Sequence, residues 1–255
     1  MFPDKENTKA LLRHSHLAIG LAKATRGLIR DTRTLLWLAG RKREIAHYLR
    51  THEVKNLQLA TSNNLLPGWL NTDIFLNHRD VLYLDATKRF PFEDCCLDYV
   101  FSEHMIEHLE YQSAQFMLRE CFRVLKPGGR VRIATPDLGV LLALYCREKT
   151  RAQESYIEWA ASRFLPEVKE CKDAFVINNF FRSWGHQFLF DQATLSRSLS
   201  TAGFREIKFY RPGCSDDPIL QGLEAHGREL GSEEINEFET MVVEGLKQEA
   251  LDSVR

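Results

Sequence analysis

The chain has 255 residues, of which 44% are hydrophobic and 27% charged, with a formal net charge of −1. This length and apolar content suit one large α/β domain with additions and leave little room for two independent domains, and no segment approaches the ~20 apolar residues of a membrane span. Six cysteines, none in a C-x-x-C pair and two of them adjacent (Cys95, Cys96), read as reduced thiols of a cytoplasmic protein, and the N-terminus lacks the apolar core of a signal peptide.

The charge is unevenly spread. Residues 1–56 hold 12 Lys/Arg against 5 Asp/Glu, residues 213–255 hold 3 against 11, and the middle holds 19 of each. The first segment reads as helical from Asn7 to Thr51, with a break near Gly40 to Arg43. Its apolar stripe (Leu11, Leu12, Ile19, Leu28, Ile29, Leu35, Leu36) runs beside Arg13, Lys23, Arg26, Arg30 and Arg33. The preferred reading is a helical extension packed on the core, or against the acidic tail of the same or a second subunit in a homodimer. Peripheral contact with an anionic membrane is the second reading, and nucleic acid is set aside.

Strands follow at Leu57 to Ala60, Asn71 to Phe75, Val81 to Leu84, Tyr99 to Phe101 and Val131 to Ala134. Helices alternate with most of them, although Phe75 to Val81 is too short for a crossover helix. Between the last two strands, apolar residues recur at helical spacing from Tyr111 to Leu125 (Phe116, Leu118, Cys121, Phe122, Leu125), and Lys126-Pro127-Gly128-Gly129 turns the chain. Ser102-Glu103-His104 sit at the carboxyl end of a strand, where open α/β sheets bind ligands. Residues 139–190 break the alternation, beginning as a helix and passing through an aromatic-rich stretch to NNFFRSWGH. A helix over Asp191 to Ala202, a strand over Phe204 to Tyr210 and an acidic helix from Glu233 complete the chain.

FSEHMIEHL, LRECFRVLKPGG and RIATPDL resemble the second half of a class I S-adenosylmethionine-dependent methyltransferase of the type 11 branch. LPGWLNTD, LDATKRFPFED and WGHQFLFDQATLSRSLSTAGF resemble a subfamily often encoded beside surface-polysaccharide genes, so that the resemblance spans roughly Leu57 to Glu244. It implies a doubly wound, mostly parallel seven-stranded Rossmann-like sheet with helices on both faces. It also divides the chain into a basic helical extension (1–56), a methyltransferase core with a lid insertion at 139–190 (57–212) and an acidic helical tail (213–255).

The resemblance implies S-adenosylmethionine as cofactor, held by Ala60 and Ser62 of the first loop, Asp73 and Ile74 after the second strand, Asp85 and Ala86 after the third, and Ser102. Asp73 is the implied ribose carboxylate, and Asp85 with Ala86 the adenine edge. Where the family carries Gly-x-Gly, this chain has Ala60-Thr61-Ser62, and a non-glycine forced to positive φ costs about 1–3 kcal/mol. His104-x-x-Glu107-His108 matches an inverted zinc-protease pattern, yet the flanking strands do not suit one, and no metal is expected. Glu107 and His108 are instead expected to cap and orient the loop. Methyl transfer needs donor and acceptor held in line, with a base if the acceptor is a hydroxyl, and His104 and Glu103 are the catalytic candidates. Asn178, Asn179, Arg182, Trp184 and His186 are the candidate acceptor contacts, by hydrogen bonding and stacking suited to a sugar. Ser215, Glu224 and His226 lie in a stretch that also resembles the subfamily and receive no role. The function expected is methylation of a small molecule or glycan, at oxygen. A scaffold that has lost the cofactor, or a membrane-surface adaptor, stands as the alternative.

Overall fold

The computed structural model describes residues 40–167 and 172–249. The chain divides into two compact units, residues 1–46 and 47–255. Of the first, residues 40–46 are described and are helical; the basic amphipathic stretch before them lies outside the described residues. The break expected near Gly40 to Arg43 falls at the edge of the described residues, which are helical from 40 to 51.

The second unit is built on a seven-stranded sheet of order β3-β2-β1-β4-β5-β7-β6. Its strands are β1 (Asn56–Leu59), β2 (Leu70–Asp73), β3 (Leu82–Tyr83), β4 (Leu97–Glu103), β5 (Leu125–Pro136), β6 (Arg205–Tyr210) and β7 (Thr240–Leu246). The first five are parallel, whereas β7 runs antiparallel between β5 and β6. Tyr48 ties the end of the preceding helix to this sheet, its hydroxyl bonding the Asn56 backbone and the Gly68 carbonyl.

Two expectations fail. Helices do not alternate with the first three strands: residues 60–69, 74–81 and 84–96 connect β1 to β4 without one. The segment from Glu233 is a helix only to Glu239, after which β7 begins. Within β7, Glu244 is buried against Arg132 of β5, with Oε1 2.6 Å from Nη1. The rest of the strand, Met241 to Gly245, is apolar or small and buried on both faces. Gly245 packs closely on Phe204: a Cβ there would lie 3.1 Å from the Phe204 side chain, which would have to give by a few tenths of an ångström.

The helices of the second unit are α1 (Tyr111–Val124), α2 (Leu138–Ala143), α3 (Arg151–Phe164), α4 (Asp173–Arg182), α5 (Gln192–Ala202), α6 (His226–Leu230) and α7 (Glu233–Glu239). α1 buries Ala114, Met117, Leu118, Cys121 and Val124, one stripe at helical spacing. α5 is capped by the Asp191 carboxylate, which accepts the Thr194 N–H, and ends at Gly203 with φ +114°. Leu141 of α2, Leu144 just after it, Tyr156, Ile157 and Ala160 of α3, and Val176 and Phe180 of α4 pack with Leu189, Leu230 and Ile235 in a second core.

Beyond β6, residues 213–226 form a strap across one face of β4, whose alternate residues each hold it. Tyr99 Oη donates to Asp217 Oδ2 (2.8 Å), Phe101 packs on Leu220 and Leu223, and Glu103 accepts the Ala225 and His226 N–H groups. Next to Phe101 in the sheet, Arg132 is fully buried and pairs with Glu224 of the strap (2.7 Å) as well as with Glu244.

Candidate functional site

A cavity of about 730 Å³ opens across the carboxyl ends of the parallel strands. Along its floor lie Ala60 after β1, Asp73 at the end of β2, Asp85 after β3, His104 after β4 and Pro136 at the end of β5. Its far wall comes from the helical core: Trp159, Arg163, Phe164, Phe180, Trp184 and His186.

Six of the seven expected cofactor residues line this space: Ala60, Ser62, Asp73, Ile74, Asp85 and Ala86. Ser102 does not. β4 continues to Glu103, so Ser102 sits inside the sheet opposite Leu59 and Ile133, 1% exposed. The first loop takes the shape glycines would give it, with Ala60 at φ +51° and Ser62 at φ +47°. Hydrogen bonds hold it there. Thr61 N–H donates to Thr72 O, Thr61 Oγ1 lies 2.8 Å from Asn64 O and 3.0 Å from Gln58 Oε1, and Ser62 N–H donates to Asp73 Oδ2 (3.0 Å). Asp73 Oδ1 accepts the Phe75 N–H (2.8 Å), so this buried carboxylate already organises both adjoining loops. Ile74 and Phe75 stand outside β2 and are exposed. Burial acts to raise the Asp85 pKa, but Lys88 at 2.7 Å and two bonds from Thr87 outweigh it and hold the carboxyl below its usual value.

His104 and Glu103 both line the cavity. The Glu103 oxygens are engaged: Oε1 accepts the Ala225 and His226 N–H groups, both at 2.8 Å, and Oε2 faces Asn64 Nδ2 at 3.4 Å. Burial raises its pKa above the normal carboxylate value, against the pull of these bonds. His104 adopts φ +43° and is backed by Glu107, with Nδ1 3.4 Å from Oε1. Burial opposes protonation of the imidazole, but Glu107, Glu239 and Glu103 together raise its pKa. Glu107 is fully buried, accepts from Thr135 Oγ1 (2.9 Å), and its carbonyl receives the Gln187 and Phe188 N–H groups, so it anchors the loop to the far wall.

Of the expected acceptor contacts, Trp184 and His186 line the cavity, but Asn178, Asn179 and Arg182 do not. α4 turns Val176 and Phe180 inward, leaving those three on its other sides. Asn178 Nδ2 donates to Ala174 O one turn back, and Asn179 Oδ1 accepts from Ser183 Oγ. His186 Nδ1 lies 2.7 Å from the Phe180 carbonyl, which can only accept, so the proton is on Nδ1 and Nε2 is an acceptor. Trp184 packs against Phe164 and Phe180, with ring centroids 4.8 and 5.4 Å apart.

The sequence reading missed Trp159 and Phe164 and assigned no role to His226 and Glu239, all of which line the cavity. The strap stacks the His226 ring on His104, centroids 3.6 Å apart, and α7 brings Glu239 Oε1 to 3.3 Å from His226 Nε2. No short-range spacing joins residues 104, 226 and 239; helical periodicity in α3 alone could have nominated Trp159.

A sheet of this order with one antiparallel strand, and a cavity over its parallel carboxyl ends, is the α/β methyltransferase fold. Residues 54–133 match the family model of a methyltransferase domain, type 11, a domain that is S-adenosylmethionine-dependent. Among solved structures, the fold is similar to an S-adenosylmethionine-dependent methyltransferase from Archaeoglobus fulgidus, at 16% identity over 86% of this chain and 94% of that one, with a TM-score of 0.47. It is also similar to a Thermotoga maritima methyltransferase described as a possible histamine N-methyltransferase, at 14% identity over 79% and 88%, TM-score 0.44. A third likeness is to phosphoethanolamine N-methyltransferase 2 of Haemonchus contortus in complex with S-adenosyl-L-methionine, at 14% identity over 78% of this chain and 49% of that one, TM-score 0.41. No curated protein matches the chain. Among the described residues, no helix is long and apolar enough to cross a membrane.

Proposed function

We propose that the chain methylates a hydroxyl of a small molecule or glycan, by in-line transfer from S-adenosylmethionine. One observation carries this: a single cavity of about 730 Å³ joins the strand ends bearing Ala60, Asp73 and Asp85 to the histidine and aromatic residues on the opposite side. That volume falls within the several hundred Å³ of ordinary ligand sites. The residues fit the cofactor: the first loop has the left-handed backbone the family obtains from glycine, and Asp73 is a buried carboxylate at the end of β2. Asp73 would accept the ribose hydroxyls, the Ser62 hydroxyl and loop N–H groups the methionine carboxylate, and Asp85 with the Ala86 backbone the adenine edge. When bound, the cofactor supplies an electrophilic sulfonium methyl group.

His104, after β4, is assigned to activating the acceptor hydroxyl. Glu103, its oxygens taken by the strap, is a positioning residue. Trp184, His186, Trp159 and Phe164 would receive the acceptor, the rings by stacking against a sugar or other flat face. Calorimetry with S-adenosylmethionine and S-adenosylhomocysteine tests the cofactor half on wild type and Asp73→Ala, with thermal melts confirming that the variant folds. Micromolar binding that is lost in Asp73→Ala is the expected result and opens an acceptor screen beginning with nucleotide sugars. Absence of binding to the folded wild type would overturn the reading in favour of a non-catalytic scaffold.

A further inference from the structure

The zinc-protease pattern at His104, Glu107 and His108 does not suit its flanking strands, but the strap and α7 bring two residues to His104 that this motif does not contain. We propose that His104, His226 and Glu239 form a binding site for a divalent transition-metal ion, zinc in the first instance, open toward the cavity. One ring nitrogen of each histidine and one Glu239 oxygen lie within 4.8 Å of one another. Zinc holds nitrogen and oxygen ligands at about 2.0–2.2 Å in tetrahedral array, which separates donors by about 3.3 Å. His226 Nε2 and Glu239 Oε1 already stand 3.3 Å apart, whereas the stacked His104 and His226 rings, with centroids 3.6 Å apart, have to part by about 1 Å for both nitrogens to reach one ion in plane. Three protein ligands with further positions free is the donor set of catalytic rather than structural zinc, and all three side chains line the cavity.

The stronger argument is what stands behind each ligand. Metal-bound imidazoles characteristically present their second nitrogen to a carboxylate, which orients the ring, and ligating carboxylates are themselves hydrogen-bonded. Each candidate has such a backing group. His104 Nδ1 faces the fully buried Glu107 at 3.4 Å, His226 Nδ1 faces Glu229 Oε2 at 3.8 Å, and the second Glu239 oxygen accepts from Tyr156 Oη at 2.5 Å. With Nδ1 so placed, His104 Nε2 is the ligand atom and exchanges its 3.1 Å contact with Thr240 Oγ1 for the ion. The cluster also suits a dication electrostatically. Two buried carboxylates, Glu107 and Glu239, face it, and among the described residues each is ion-paired only with imidazole.

A second set, Glu107, His108 and His186, also converges but is less suited. His186 has its Nδ1 proton on Phe180 O, and Glu107 is already the backing group of His104. An ion on the first set would face the acceptor end of the cavity, where an alcohol oxygen can occupy a free position and be acidified. His104 would then act through the ion and not by taking the proton itself; this last step rests on the acceptor site proposed above, whereas the metal site does not.

The test uses the untagged full chain, stripped with chelator and titrated with Zn²⁺ by calorimetry and with Co²⁺ by visible absorption. One ion per chain is expected, with the intense d–d bands of low-coordinate Co²⁺. His226→Ala and Glu239→Gln should each weaken binding at least tenfold with an unchanged circular-dichroism spectrum. Glu229→Gln, half exposed and not a ligand, should weaken it by about tenfold, in the range for a lost backing group. His186→Ala should leave it unchanged. No saturable binding of either ion, or binding abolished by His186→Ala but retained by His226→Ala, would overturn the proposal. Because the readout is the ion itself, a failure to bind S-adenosylmethionine bears on the proposed function and not on this site.

Discussion

Of the six non-glycine residues with positive φ among the described residues, Ala60, Ser62, His104 and Trp184 line the cavity. Strain of this kind persists only where surrounding bonds over-determine the backbone. At Ala60 and Ser62 those bonds come from Thr61, Asn64, Thr72 and Asp73. Ala60→Gly should therefore relieve strain, stabilising the fold by about 1 kcal/mol, or about 2–4 °C in Tm. A differential scan of the two proteins checks this; an unchanged or lowered Tm would mean that the loop is not strained. The missing glycines were legible in the sequence, but the bonds that let the loop do without them were not. The two that tie the loop to β2, Thr61 to Thr72 and Ser62 to Asp73, each span 11 positions.

Among the elements, α1 and α5 were legible because amphipathic spacing and caps are local signals: the α1 stripe and the Asp191 and Gly203 caps. β7 was not, because Glu244 and the acids before it look solvated until a buried Arg132 is placed beside them. The same limit hid the role of Glu120. It falls on the polar side of the α1 pattern yet is 8% exposed, accepting from Phe90 N–H and from Arg123, which also bonds Asp94, Phe90 O and Phe92 O. This latch holds the β3–β4 connection on α1 in place of a helix. Burial acts to raise the Glu120 pKa, but Arg123 outweighs it and lowers the pKa, and Arg123 lowers that of Asp94 as well. Folded pKa values below the unfolded ones mean that the latch stabilises fully above the normal carboxylate range and less as pH falls through the folded values. Urea melts should show stability level near neutrality and falling from about pH 5 downward. In Arg123→Ala the loss over that range should be shallower, because the two carboxyls then titrate near their unfolded values; an acid limb identical to wild type would refute the latch.

At the scale of the whole second unit, the cavity lies between the sheet and a separate helical core, and the strap ties the sheet to the residues that complete the cavity. The resemblance and the strand pattern made the sheet side legible: Asp73, Asp85 and His104 all fall at strand ends. The helical side was half legible, because α4 turned Asn178, Asn179 and Arg182 away while α3 contributed Trp159 and Phe164. The strap was recognised as a stretch without a role, since its purpose lies in contacts more than 80 residues distant, such as Arg132 with Glu224. Arg132 carries that join: it is fully buried between Glu224 and Glu244, and also donates to the Cys214 carbonyl (2.9 Å). Removing one partner of a buried ion pair leaves uncompensated charge and typically costs about 3–5 kcal/mol, whereas replacing the whole set with apolar residues of similar volume is often neutral or stabilising. Arg132→Met should therefore destabilise the chain by about 3–5 kcal/mol in urea melts, and Arg132→Met/Glu224→Leu/Glu244→Leu should recover most of the loss. The strap needs the charge set only to be balanced, so the triple variant should keep His226 beside His104 and retain metal binding. If the single variant costs less than about 1 kcal/mol, the cluster is hydrated and the strap is held by Tyr99, Phe101 and Glu103 alone.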